Sequence, residues 1–168
     1  KAPEFVMRQW YKHVVGIETT SNSSTKDHAW NEISGRYVEV EDFYIPEIWR
    51  KQSKDNKQAS EGRLNEETNS RAVHAYDVAL TTTMNMYDRL VKHYRVAKEQ
   101  ARVILPLSQY TEVYWTASFQ AVMNFIELRN EKTSQVEIQE YARTLLEQME
   151  LTFPKTTQLW SEAHGWTK

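Results

Sequence analysis

Apolar side chains recur at helical spacing through the second half of the chain. A first helix is predicted over 65–95, a second over 97–105 and a third over 111–129. The second ends before Pro106, because a residue before proline is disfavoured in the helical region. The apolar face of the 65–95 helix has a step of three or four residues: Val73, Tyr76, Leu80, Met84, Tyr87, Val91 and Tyr94. The stripe of the 111–129 helix is Tyr114, Ala117, Ala121, Phe125 and Leu128.

A fourth helix is predicted to begin near Ser134. Ser134 and Glu137 have the spacing of a capping box, in which each side chain accepts a hydrogen bond from a backbone N–H of the first turn. Pro154 follows the expected end of this helix. Its apolar positions keep the helical period: Ile138, Tyr141, Leu145 and Met149.

The N-terminal half carries weaker signals. Residues 1–6 have the pattern of a strand, and we expect sequence upstream of Lys1. Residues 4–15 are dense in apolar and aromatic side chains, which suits a strand that leads into a short helix. Residues 37–40 alternate apolar and charged side chains, which predicts a short half-buried strand, and the polar residues 51–64 are expected at the surface.

Long helices with a few short strands predict an α+β fold, and 168 residues are enough for a single domain over 1–168. A net charge of −2 argues against a broad nucleic-acid surface, and no apolar run approaches the ~20 residues of a membrane helix. The absence of cysteine excludes disulfides, thiolate zinc sites and cysteine nucleophiles. The five histidines lack paired ligand spacing, so no metal site is predicted. We expect a cytoplasmic protein, in the host cytoplasm if it is viral.

The segment from Asn31 to Tyr37 is the richest in chemical groups. It combines Glu32, Ser34, Gly35 and Arg36, a set suited to phosphate because arginine binds it bidentately and glycine lets backbone N–H groups approach. The alternative is a polar turn that contains an Arg–Glu pair.

Polar side chains also interrupt the apolar helices. Arg102 precedes an apolar run, Asn124 and Arg129 lie along the third predicted helix, and Ser118 precedes them. Such side chains could instead pair with a neighbouring carboxylate or with another subunit. The aromatic segment 10–13, beside a polar loop at 16–28, is the best candidate to stack on a flat heterocycle.

Three sequence blocks, taken in their order along the chain, resemble the motifs of a known family. They are residues 2–10 (APEFVMRQW), residues 31–37 (NEISGRY) and residues 101–129, which continue through Gln135 to Ala142. Together they resemble the flavin-dependent thymidylate synthase family, over nearly the whole chain. The resemblance implies a thymidylate synthase-complementing-like fold, in which long helices pack on a small sheet.

The resemblance also implies an activity. Members of the family transfer a methylene from methylenetetrahydrofolate to C5 of dUMP, and a bound FAD, reduced by NADPH, supplies the hydride. The family is homotetrameric, with active sites between subunits. It uses no cysteine nucleophile, in agreement with the composition of this chain, whereas the classical cysteine-dependent enzyme is excluded.

The resemblance also assigns the family's site residues to matching positions of this chain. Arg129 would be catalytic, because it would sit against the uracil ring and favour its ionised form. The residues implied to bind dUMP are Gln9, Trp10, Lys12, Glu32, Ser34, Gly35, Arg36, Arg102 and Arg129. Those implied to bind FAD are Lys12, His13, Asn31, Glu32, Ser118 and Asn124.

The chain departs from the family pattern on the flavin side. Residues 12–14 (KHV) stand where the family has Arg-His-Arg, and seventeen residues separate His13 from Asn31, so residues 16–30 form an inserted polar loop. Ser118 and Gln120 replace a common Asn and Arg. Two alternatives therefore stay open: a related pyrimidine-nucleotide hydroxymethylase, and a non-catalytic nucleotide-binding subunit.

Overall fold

The computed structural model describes residues 1–14, 30–33, 42–56 and 59–165. The predicted loop at 16–28 and the predicted strand at 37–40 lie outside these residues. The strands are β1 (Ala2–Pro3), β2 (Trp30–Glu32), β3 (Arg50–Gln52), β4 (Ser60–Arg63), β5 (Tyr110–Thr111) and β6 (Val113–Trp115). The helices are α1 (Glu4–Trp10), α2 (Glu66–Asp88), α3 (Lys98–Ala101), α4 (Phe119–Arg129), α5 (Val136–Thr152) and α6 (Pro154–Ala163).

The described residues divide into two compact units. The first holds residues 1–12, 30–33, 42–56 and 59–116, and the second holds residues 13–14 and 117–165. Helices dominate and the sheets are small and antiparallel, so the predicted α+β class is confirmed.

Two antiparallel strand pairs organise the first unit. β5 pairs with β1, with Thr111 opposite Ala2, and β6 pairs with β2, with Val113 opposite Glu32 and Trp115 opposite Trp30. The single stretch from 110 to 115 therefore joins two parts of the chain that are distant in sequence. The N-terminal strand expected at residues 1–6 is present only over Ala2–Pro3, because Glu4 already begins α1.

The start of α1 is fixed to the chain just before β5. The first backbone N–H groups of a helix have no partner within the helix, and here two of them find one outside. Glu4 N–H donates to the Gln109 carbonyl at 2.9 Å, and Phe5 N–H donates to the Leu107 carbonyl at 3.0 Å. The first turn of α1 is thereby held beside the segment that leads into β5.

The long helix α2 confirms the first helical prediction. Asn65 caps its start by accepting the Thr68 N–H at 2.8 Å. Its apolar stripe is at least half-buried as far as Val91, while Tyr94 beyond it is exposed. The helix continues as one π-helical turn (Arg89–His93), and the second predicted helix forms as α3 followed by a 3₁₀ turn (Arg102–Ile104).

The polar stretch 51–64 is exposed over most of its described length, as predicted. It also forms a hairpin, since β3 and β4 pair antiparallel with a register shift between Arg50 and Lys51. Gly62 has a φ of +49°, a value that residues with a side chain rarely adopt.

The prediction that the third helix begins at residue 111 is wrong. Residues 110–115 form β5 and β6, and α4 begins only at Phe119, after Ser118 caps it by accepting the Ala121 N–H at 3.2 Å. The aromatic and β-branched side chains of this stretch favour a strand, and two partner strands are available to pair with it. Tyr114, placed on the helical stripe by its spacing, is 82 % exposed on β6.

The predicted capping box at Ser134 does not form. α5 begins at Val136 with Gln135 as its N-cap, one residue beyond the predicted cap. The Ser134 hydroxyl instead donates to the Leu128 carbonyl at 2.9 Å. Ser134 thus completes the end of α4, where carbonyl groups lack partners within the helix.

The core of the second unit lies between α4 and α5. Met123, Phe125 and Ile126 of α4 are fully buried, as are Ile138 and Ala142 of α5. A further helix, α6, follows directly and was not predicted. Pro154 ends one helix and begins the next, because its fixed φ suits the first turn of a helix.

The joint between α5 and α6 generates a stability prediction. The buried Thr157 hydroxyl donates to the Met149 carbonyl at 3.1 Å. Thr157→Val keeps the shape and removes the donor, so we expect a loss of about 1 kcal/mol in the free energy of unfolding, measured by urea denaturation. The matched control is Thr156→Val at an exposed position, and an equal loss there would contradict the assignment.

Candidate active site

A pocket of about 590 Å³ lies in the first unit. Its polar side carries Glu4 of α1, Glu32 of β2 and Arg102 of the 3₁₀ turn, and its apolar side includes Val103 and Leu105. Volumes of roughly 300–1,000 Å³ are typical of small-molecule sites. Glu99 also lines the pocket. An arginine, three carboxyls and an apolar wall can hold a ligand that has an anionic group, hydroxyls and a flat apolar part.

Two of the pocket's three carboxyls, those of Glu4 and Glu32, are close neighbours. The Thr111 hydroxyl donates to Glu32 Oε1 at 2.6 Å, which orients that carboxylate. The pKa of Glu4 is raised, first by burial and then by the charge of Glu32, while Arg8 and Arg102 oppose the shift. Burial and the Glu32 carboxylate also raise the pKa of Tyr11. Burial and, after it, the Glu32 charge therefore disfavour further negative charge beside Glu32.

An aromatic cluster packs beside β2 in the same unit. Trp30 and Trp115 face each other across the β2–β6 pair and stack with ring centroids 5.2 Å apart. Trp10 contacts Trp115 edge-on at 5.6 Å, and Tyr11 contacts Trp30 edge-on at 4.9 Å. The cluster fixes the end of α1 against the strand that carries Glu32, so Trp10 serves packing here.

The second unit holds a half-buried histidine–arginine pair. Arg129, the last residue of α4, donates its Nε–H to His13 Nε2 at 2.8 Å. Burial, followed by the Arg129 charge, lowers the pKa of His13 to about 4, so the imidazole is neutral at pH 7 and its Nε2 accepts. The His13 ring also packs edge-on against Phe125, at 4.9 Å between centroids.

The structure brings some of the predicted site residues together. Glu32 and Arg102 line the same pocket, and His13 and Arg129 share a hydrogen bond. Ser34, Gly35 and Arg36 lie outside the described residues. The others are placed singly: Gln9 and Trp10 in the last turn of α1, Lys12 exposed after it, Asn31 on β2, Ser118 at the cap of α4, and Asn124 half-buried within α4.

Sequence reasoning missed two residues of the first unit and gave a third another role. Glu4, Tyr11 and Thr111 all adjoin Glu32. Glu4 and Thr111 were not candidates, and Tyr11 was a candidate only as part of the aromatic segment 10–13. Glu4 had one usable signal, a carboxylate in the first turn of a helix that follows a proline. Thr111 had none, because its place depends on strand pairing across the chain.

The described residues contain neither a metal-binding cluster nor a membrane-spanning helix. They contain no group of three or more histidines or carboxylates that could hold a metal ion. Within the same residues, no helix combines the length and apolar character needed to cross a membrane.

Comparison with known families is decisive for identity. The sequence model of the family described as "Thymidylate synthase complementing protein" matches residues 1–155. The chain belongs to this family. The recognition made from the three sequence blocks is therefore confirmed.

Two relatives within the family are flavin-dependent thymidylate synthases. The protein of Thermosipho africanus is 37% identical over 143 residues, which are 84% of this chain and 57% of that protein. The protein of Thermus thermophilus is 40% identical over 154 residues, which are 88% of this chain and 49% of that protein. The chain thus spans about half the length of these relatives.

Solved structures with the thymidylate synthase complementing fold resemble this chain closely. The UMP/dUMP methylase PolB from Streptomyces cacaoi, bound with 5-Br UMP, superposes with a TM-score of 0.78 at 26% identity. That match covers 96% of this chain and 70% of PolB. The structure of PolB bound with 5-Br dUMP gives a TM-score of 0.76. The predicted fold is therefore confirmed.

The Glu4–Glu32 pair generates a pH-dependent stability prediction. A carboxyl whose pKa is raised on folding lowers stability as the pH rises through that pKa. Glu4→Gln removes this charge, so we expect a gain of about 0.5–1 kcal/mol at pH 7, reduced by partial exposure, and no gain below about pH 4. Urea unfolding at both pH values measures it.

The matched control for that comparison is Glu61→Gln on the exposed strand β4. It removes the same charge away from the pocket and should leave the stability unchanged at both pH values. A Glu4→Gln protein that is less stable than the wild type at pH 7 would contradict the repulsion between the two carboxyls.

Proposed function

We propose that this chain is part of a flavin-dependent thymidylate synthase. In the proposed reaction dUMP, methylenetetrahydrofolate, NADPH and a proton give dTMP, tetrahydrofolate and NADP⁺, with FAD as the bound hydride carrier. The observation that carries the proposal is the pocket shared by Glu32 and Arg102, two residues assigned to dUMP from distant parts of the sequence. Family membership supports the same reading.

Arg102 and Glu32 would bind opposite parts of the nucleotide. The Arg102 guanidinium would hold the phosphate, where charge-assisted hydrogen bonds are strongest. Glu32 accepts from the Thr111 hydroxyl through Oε1, and its carboxylate would also accept from a sugar hydroxyl. Ser34, Gly35 and Arg36, together with Gln9, Trp10 and Lys12, would complete the dUMP site.

Arg129 would act on the pyrimidine ring. A guanidinium beside the uracil carbonyl oxygens stabilises negative charge on the ring, and that charge makes C5 a better nucleophile. Burial lowers the pKa of Arg129 from its ordinary value. A partly desolvated cation interacts more strongly with a developing anion than one in water does.

The residues assigned to the flavin suit its hydrogen-bonding groups. Asn31 and Asn124 offer amides, Ser118 a hydroxyl and Lys12 a cation for the pyrophosphate, while His13 offers a ring edge and Glu32 a carboxylate. This donor set fits FAD. When bound, the reduced flavin would supply the hydride that completes the methyl group.

We also propose a homotetramer with active sites between subunits. Large apolar side chains reach the surface of the described chain, among them Val103 at 85% and Tyr114 at 82% exposure. Exposed apolar groups of this size are common in surfaces that pair with another subunit. Sedimentation velocity of the purified protein would give the mass.

The reaction has a direct spectroscopic test. Purified protein with FAD should show a flavin absorption band, and it should oxidise NADPH only when dUMP and methylenetetrahydrofolate are present. Mass spectrometry of the product separates a methyl group from a hydroxymethyl group. UMP is the natural second substrate to test, because the structural neighbour PolB is a UMP/dUMP methylase. Protein that takes up no FAD would refute the enzymatic proposal and leave the nucleotide-binding alternative.

The assignment of Arg102 generates a binding prediction. Arg102→Ala removes a charge-assisted contact to the phosphate, so we expect dUMP binding to weaken by about 1.5 kcal/mol, roughly tenfold, in calorimetry. Arg71→Ala on α2 is the matched control, because Arg71 is exposed and paired with Glu67 at 2.7 Å. Unchanged affinity in Arg102→Ala would remove this residue from the site.

A further inference from the structure

The bond between His13 and Arg129 constrains how the arginine can be used. A guanidinium has one N–H at Nε and the others on its two terminal amino groups. Arg129 donates its Nε–H to His13 Nε2 at 2.8 Å. The terminal amino groups, which form the edge that recognises a planar ligand, are not consumed by this bond.

His13 is well fixed for such a role. Its ring packs edge-on against Phe125, which is fully buried in the core of the second unit. Accepting at Nε2 requires the proton of the neutral imidazole to lie on Nδ1. An imidazolium could not accept at all, and the low pKa of His13 agrees with a permanent acceptor.

We propose that His13 is a positioning residue, which accepts the Nε–H of Arg129 and so directs the terminal amino groups of that arginine toward the pyrimidine ring. The inference rests on the proposed function, since it deepens the role of Arg129 in it. It also changes the role expected for His13, which the family resemblance assigned to the flavin.

The energetic reason is preorganisation. An arginine side chain has several rotatable bonds, and ordering them on ligand binding costs up to about 1.5–2 kcal/mol. A hydrogen bond at Nε orders the guanidinium before the ligand arrives, so less of that cost falls on binding. Arg129 is the last residue of α4, where the backbone alone constrains a side chain least.

The test separates the acceptor from the ring. His13→Phe keeps an aromatic ring against Phe125 and removes the acceptor, whereas His13→Gln restores an acceptor at nearly the same reach. His164→Phe is the matched control, because His164 also stacks on an aromatic ring of the second unit, Trp160 at 4.1 Å, with no part in the proposed site.

We expect dUMP affinity, measured by calorimetry, to fall about tenfold in His13→Phe and to return to within about threefold of the wild type in His13→Gln. His164→Phe should bind as the wild type does. In turnover, the His13→Phe protein should lose kcat as well as dUMP affinity. Folded His13→Phe protein that binds dUMP normally would overturn the inference. Loss of FAD binding without loss of dUMP binding would also overturn it, because His13 would then be a flavin contact.

A second measurement keeps the inference testable if His13→Phe does not fold or if the wild type binds no dUMP. ¹⁵N NMR of the wild-type protein should show His13 neutral, with its proton on Nδ1, and a slowly exchanging Arg129 Nε–H. A proton on Nε2 would overturn the inference. Failure of wild-type dUMP binding with the expected NMR signals would instead refute the proposed function and leave the contact intact.

Discussion

The first unit depends on one short segment that pairs twice. Residues 110–115 bond to β1 on one side and to β2 on the other, so α1 and the strand carrying Glu32 are fixed to the same support. Side chains alternate along a strand, so a one-residue slip of β2 against β6 would turn the Glu32 side chain to the other face, away from Thr111. The hydrogen bond between those two side chains therefore depends on the register of the β2–β6 pair.

The two units handle charge in opposite ways. In the first, Glu4 and Glu32 lie together near Arg102, and burial, followed by the Glu32 charge, raises the pKa of Glu4. In the second, a histidine beside a half-buried arginine stays uncharged, so the cation has an acceptor without a competing anion. A carboxylate at position 13 would neutralise Arg129, whereas a neutral imidazole leaves its charge available to a ligand.

Local sequence predicted the elements that periodicity controls. The helix along Val73 to Val91 and the helix through Phe125 followed from spacing alone. The strands at 110–115 did not, because Tyr114 fits a helical stripe equally well and only the pairing with β2 decides. For the same reason Glu4 and Thr111 were missed. Glu32 and Arg102 stood out in the local sequence as polar groups, but only the family resemblance assigned both of them to one nucleotide site.

The bond from the Ser134 hydroxyl to the Leu128 carbonyl bears on how this chain can vary. It closes the connection between α4 and α5 immediately beside Arg129, so the length of that connection sets the direction in which α4 ends. Surface loops usually tolerate added or deleted residues. Between Asn130 and Gln135 a change of even one residue would alter the reach of Ser134 to the Leu128 carbonyl, so homologous chains should conserve this spacing more strictly than they conserve its side chains.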